Sequence, residues 1–208
     1  MDRKALFRLS LIASLLLLLA CGRHEPTAAP PHPATTPAPH PAAKPAPLPS
    51  GRAAWRAVLG WPDDCEQAFR QTAVEGEGIE VHPLGPARAL VEVRCAWGAY
   101  QGSYLYYMYD QSSQPPATGP LDFEIRESPD EGSLVPGKAT EIEGLPAFDA
   151  KTGTLTVLDK FRGPGDCGTL AAYRFDGGRP RLVALRAKAA CDGQGAETPE
   201  RWPEVPLR

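Results

Sequence analysis

The sequence predicts an α+β fold: mainly antiparallel β-sheet, with one or two short N-terminal helices and two disulfides. Three observations carry this reading. Helical spacing of apolar residues is confined to the stretch around Trp55 to Gln71, whereas from Gly78 onward apolar and polar residues alternate with period two. Turn chemistry rich in Asp and Gly separates several of the alternating runs, as antiparallel hairpins require. Four cysteines, Cys65, Cys95, Cys167 and Cys191, remain once Cys21 near the N-terminus is set aside.

Trp55, Val58 and Leu59 recur at helical spacing, and Trp61-Pro62 interrupts them. Asp63 or Asp64 is placed to cap a second short helix running to about Gln71, with acidic groups at its positive end. Ile79 and Val81, then Ala89, Val91, Val93 and Cys95, alternate with polar residues such as Glu92 and Arg94, the pattern of half-buried strands. Tyr104 to Tyr109 forms the next strand, with Tyr104, Tyr106 and Met108 on one face and Leu105, Tyr107 and Tyr109 on the other. A Ser/Gln/Pro loop over 111–119 precedes a strand alternating Leu121, Phe123 and Ile125 with Asp122, Glu124 and Arg126. Two hairpins follow: Phe148 to Gly153 turns into Leu155 to Leu158, and Asp176-Gly177-Gly178 joins Ala172–Phe175 to Leu182–Leu185.

Ahead of this domain the chain has a different character. Arg3, Lys4 and Arg8, an apolar stretch from Leu9 to Leu19 and small Ala20 make the three parts of an export signal. Leu18-Leu19-Ala20-Cys21 is the pattern at which bacterial lipoproteins are cut and lipidated, which assigns residues 1–20 to a signal peptide and Cys21 to the lipidated first residue of the mature chain. Spanning a bilayer takes roughly 20 apolar residues, and Leu9 to Ala20 is too short. A thioether-linked diacylglycerol and an amide-linked acyl chain such as palmitate would tether the protein at ~0.8 kcal/mol per buried methylene. Residues 21–50 form a Pro/Ala-rich disordered linker with ten prolines, which at ~3.1 Å per residue reaches roughly 90 Å from the membrane. His24, His32 and His40 in this linker are eight residues apart, too wide for a local chelate. Gly22 after the lipidated cysteine fits outer-membrane sorting in a cell with two membranes. The expected location is therefore the bacterial cell envelope, lipid-anchored at the outer membrane or the periplasmic face.

Residues 51–208 suffice for one disulfide-stapled β-rich domain. They carry 17 Lys and Arg against 23 Asp and Glu, dispersed rather than clustered, so nothing resembles a nucleic-acid footprint. Four cysteines in an exported chain imply two disulfides, and sequence alone leaves three connectivities open. Their clustering favours Cys65 with Cys95 and Cys167 with Cys191, each closing a loop of about 25 to 30 residues worth ~3 kcal/mol. The spacings a zinc site needs do not occur, and no cofactor or metal is expected.

The segment Lys160-Phe161-Arg162-Gly163-Pro164-Gly165-Asp166-Cys167-Gly168, then Tyr173-Arg174-Phe175-Asp176-Gly177, Cys191-Asp192-Gly193 and Trp202-Pro203, resembles the C-terminal part of an exported bacterial family known as domain of unknown function 1176. Cys95-Ala96-Trp97-Gly98-Ala99-Tyr100 looks like that family's earlier cysteine followed by Gly-Ala-Tyr. The resemblance implies export and cysteines that belong to the fold; it brings no established activity.

Two sets of residues stand as candidate recognition sites. Arg162 and Asp166 flank a Gly/Pro-rich turn that either shapes the backbone beside a disulfide or presents a preorganised pair. Tyr104 and Tyr106 either face the core or offer rings to a ligand. No catalytic residue is assigned. His82 is the domain's one histidine, and oxidised cysteines supply no nucleophile. Asp122 with Glu124, and Glu141 with Glu143, are same-face acids, a pattern usual on a solvated surface. This inventory leans against an enzyme. The functional expectation is a membrane-anchored lipoprotein of non-enzymatic type that binds or scaffolds an envelope protein or glycan, one version being a hydrolase inhibitor; the alternative is a cell-wall hydrolase using paired carboxylates.

Overall fold

A computed structural model describes residues 47–72, 75–117, 119–130, 132–193 and 198–207. The signal segment, Cys21 and the linker through residue 46 lie outside the described residues. Helix α1, Arg52–Leu59, buries Trp55 and Leu59 and stops at Gly60, whose φ of +67° lets its N–H reach back to the Arg56 carbonyl. Helix α2, Asp63–Gln71, begins directly after Pro62, with Asp63, Asp64 and Glu66 in its first turn. The expected aspartate N-cap is thus displaced by proline, which is suited to a helix start but has no side-chain acceptor; Asp64 instead accepts a hydrogen bond from the N–H of Cys65 at 2.8 Å. The acids still sit at the positive end of the helix dipole.

One buried arginine fastens both helices to the sheet. Arg52 pairs with Glu66 at 2.8 Å, stacks its guanidinium 3.6 Å from the centre of the Phe69 ring and donates to the carbonyls of Glu77, Gly78 and Arg94. Burial raises the Glu66 pKa, but donors from Trp61, Arg52 and Arg70 outweigh it and hold the carboxyl below its ordinary value. The Cys65–Cys95 disulfide, with α-carbons 4.5 Å apart, ties α2 to the same sheet.

Among the described residues nine strands follow: β1 Ile79–Pro83, β2 Arg88–Trp97, β3 Gly102–Asp110, β4 Phe123–Glu127, β5 Val135–Ala139, β6 Glu141–Asp149, β7 Thr154–Lys160, β8 Gly168–Asp176 and β9 Arg179–Lys188. Seven of them form one antiparallel sheet in the order β1-β2-β3-β6-β7-β8-β9, and β4 and β5 make a separate hairpin. The alternation of β3 is borne out on both sides. Tyr104, Tyr106 and Met108 join a core with Leu90, Phe123, Leu155 and Tyr173, while Leu105, Tyr107 and Tyr109 pack beneath the helices with Trp55, Trp61 and Val93. Strand β5 carries Pro136 and Gly137, residues that argue against a strand interior. It forms nonetheless, because it pairs with β4 alone.

The hairpin β4–β5 is held over the sheet by Phe123, wholly buried with its ring 5.3 Å from that of Tyr106 and 5.0 Å from that of Tyr173, and by the Tyr173 hydroxyl, which donates to the Glu124 carbonyl at 2.8 Å. The outer edge of β9 is covered by the C-terminal segment. Ala187 N–H donates to Pro203, Val205 N–H donates to Leu185, and Trp202 is completely buried. This covers the open strand edge at Leu185 to Ala187. The second disulfide joins Cys167 to Cys191 with α-carbons 5.0 Å apart, so both favoured pairings form. Among the described residues no helix is long and apolar enough to cross a membrane.

Candidate functional site

Strand β6 changes partners halfway along. Its first half, Glu141 to Gly144, pairs with β3, and its second half, Leu145 to Asp149, pairs with β7. Gly144 sits at the switch with φ of +144°; a β-carbon there would lie 2.6 Å from Val157 Cγ1 and 2.8 Å from the Leu158 carbonyl oxygen. Past Leu158, strand β7 therefore runs on without β6 beside it. A cleft of about 690 Å³ opens at this fork, roofed by β4 and floored by β7, β8 and β9.

Two residues meet at the fork. Gln101, buried just before β3, donates from Nε2 to Asp159 Oδ1 at 2.9 Å and accepts the Lys160 backbone N–H on Oε1 at 2.9 Å. Its amide stands in for the missing strand and fixes its own orientation. Asp159 shares an inward-facing register with Leu155 and Val157 and lines the cleft together with Glu141 and Glu143. Burial pushes its carboxyl pKa above the ordinary aspartate value; the Gln101 hydrogen bond partly opposes the shift, and the charge of Glu143 adds to it. The cleft thus holds one desolvated carboxyl beside exposed carboxylates. Half-buried Tyr100 and Phe161 also line it; Tyr100 lies over Gly163, where a β-carbon would sit 3.5 Å from the ring.

The residues singled out from sequence fall into distinct places. Arg162 and Asp166 do come together, but with each other. Arg162 Nε donates to Asp166 Oδ1 at 2.7 Å, its Nη2 to Oδ2, and the Gly193 N–H adds a third bond at 2.8 Å. The Asp166 side chain has no exposed surface. Arg162 holds its carboxyl well below the usual carboxylate range; desolvation opposes this and the Gly193 amide reinforces it. The turn around Cys167 is therefore pinned from within, and of the pair Arg162 reaches the cleft wall.

Tyr104 and Tyr106 are core residues, 5% and 0% exposed. Tyr106 donates to Glu92 at 3.0 Å, and burial, followed by the charge of Glu92, raises its phenol pKa well above normal. His82 stacks on Phe148 and lies 3.5 Å from Glu92, away from the cleft. Of the paired acids, Glu141, Glu143 and Glu124 line the cleft, whereas Asp122 lines a separate groove with Arg88 and Lys138. Asp159 and Gln101 were not singled out by sequence. The available signal was an aspartate in register with Leu155 and Val157, on the otherwise apolar inward face of β7. Among the described residues no group of three His, Cys, Asp or Glu side chains is placed to share a metal ion.

The chain is similar to Uncharacterized protein YpfG of Escherichia coli (strain K12), 34% identical over 128 residues that cover 61% of this chain and 34% of that protein. It thus spans about a third of the length of this curated relative. No solved structure matches it. The family model described as "Protein of unknown function (DUF1176)" matches residues 17–206, nearly the whole sequence and both disulfide pairs; the chain belongs to this family.

Proposed function

We propose that this protein is a lipid-anchored binding protein of the bacterial cell envelope, and that the cleft at the β6–β7 fork is its ligand site. The anchor rests on Leu18-Leu19-Ala20-Cys21 and the basic, apolar segment before it; the Pro-rich linker supplies reach. The observation that carries the site is the fork itself. A strand that changes partners leaves a cavity of about 690 Å³, within the ~300–1,000 Å³ typical of small-molecule sites. Its polar wall is held by a buried amide, Gln101, so the binding groups are oriented before any ligand arrives.

The test is capture from envelope extracts by the purified full chain, compared with a Glu143→Gln/Tyr100→Ala double variant. Wild type should enrich a glycan or protein that the variant does not. Equal capture by both would remove the cleft from the reading.

A second reading follows from Asp159, whose raised carboxyl beside Glu143 has the composition of a general acid paired with a carboxylate. It makes the protein a cell-wall hydrolase. Muropeptides or sugars released from purified sacculi, and lost in Asp159→Asn, would establish that reading; sacculi left intact would exclude it.

A further inference from the structure

We propose that the ligand of the fork cleft is a short, neutral saccharide chain; this rests on the reading of the cleft as the binding site and names its substrate class. The lining charges are of both signs with carboxylates in excess, which argues against an anion and suits a ligand that can both donate and accept. Five carboxylates and three cations are distributed around the described wall, and one of the cations, Arg162, is already engaged by Asp166. A polyanion would meet Glu141, Glu143 and Asp159, the last of which is already desolvated. A polycation would meet Arg126 and Lys160. A neutral polyhydroxylated ligand meets neither penalty, because each hydroxyl can donate to a carboxylate and accept from a cation.

The remaining surface has the complementary character. Tyr100 and Phe161 line the cleft, and aromatic rings suit the C–H face of a pyranose; the Tyr100 ring packs close to Gly163. Apolar Val157, Leu182 and Leu185 complete the floor. Asp159 is held by Gln101 through Oδ1, and its Oδ2 accepts no hydrogen bond among the described residues. That leaves an oriented acceptor for a sugar hydroxyl.

The experiment is saturation-transfer NMR and calorimetry on the detergent-solubilised full chain. The probes are neutral trisaccharides (chitotriose, cellotriose and mannotriose), trilysine as the cation and trigalacturonate as the anion. At least one neutral trisaccharide should bind, and Tyr100→Ala and Glu143→Gln should each weaken it at least tenfold. Both substituted residues are partly or wholly exposed, so both variants should stay folded, with a cooperative thermal transition. Binding of trilysine or trigalacturonate alone, weakened by the same variants, would overturn the saccharide and leave the cleft standing as a site. A neutral trisaccharide bound equally by wild type and variants would place saccharide binding elsewhere and overturn the proposal. Binding of none of the probes would also overturn it, and the envelope-capture comparison would then decide independently whether the cleft is a site at all.

Discussion

Asp159 shows how one residue can serve a site at a cost to the fold. Its carboxyl titrates above the ordinary aspartate value in the native state because burial disfavours the charge. A raised native pKa contributes stability that is fully present below the unfolded value of ~3.9 and is lost as pH rises through the native value. At neutral pH the ionised carboxylate is therefore a net liability. Asp159→Asn keeps an acceptor for Gln101 and removes the charge, so its thermal midpoint at pH 7 should exceed that of wild type. The gap should close as pH falls toward ~4. An unchanged or lower midpoint at pH 7 would show that the carboxylate is better solvated than its position implies. Asp166 has the opposite sign: Arg162 and the Gly193 amide stabilise its charged form, which favours folding at all but strongly acidic pH.

At the scale of elements, the fork and the disulfides define the architecture. Gly144 permits β6 to leave β7, and Gly144→Ala would set a β-carbon against Val157 and Leu158 in a backbone conformation that L-residues resist. The variant should lose stability at the top of the ~0.5–3 kcal/mol range of ordinary substitutions. Chemical denaturation measures this, and a change within ~0.5 kcal/mol would refute the steric account of the fork. The disulfides close segments of 30 and 24 residues, so chain entropy predicts nearly equal contributions of ~3 kcal/mol each, differing by only ~0.2 kcal/mol. Cys65→Ala/Cys95→Ala and Cys167→Ala/Cys191→Ala should accordingly be destabilised alike in urea. A large asymmetry would mean that native-state packing, rather than loop closure, dominates one of them.

For the whole molecule, the domain is read as working at the end of a tether. Cys21→Ser removes the thiol that accepts diacylglycerol, so the variant should incorporate no labelled fatty acid and should either retain its signal segment or appear in soluble fractions. Persistent labelling would overturn the anchor. The domain itself should fold unchanged in that variant, because its core is built from residues between Trp55 and Trp202.

The sequence by itself determined much of what depends on neighbours along the chain, though it misplaced the cap of α2 and did not show β5. Alternation at Tyr104 to Tyr109 sorted that strand's residues between the two cores, and Ala89, Val91, Val93 and Cys95 were rightly read as buried, although the opposite face of that strand, with Leu90 and Glu92, is buried too; Asp176-Gly177-Gly178 placed a hairpin where positive φ is needed. The spacing of the four cysteines favoured the pairings that form. The tertiary structure decided what depends on strands distant in sequence. Nothing local distinguishes Glu141 to Gly144 from Leu145 to Asp149, yet the two halves of that strand pair with different partners. Asp159 becomes a cleft residue because Gln101, 58 positions earlier, occupies the gap left by this exchange. Arg162 and Asp166 were legible as a local pair; what the tertiary structure added is the Gly193 amide, brought to Asp166 beside the Cys167–Cys191 bridge. Period and turn chemistry report on the backbone within a few residues; desolvation and mutual orientation, which shape a site, arise only when the sheet closes.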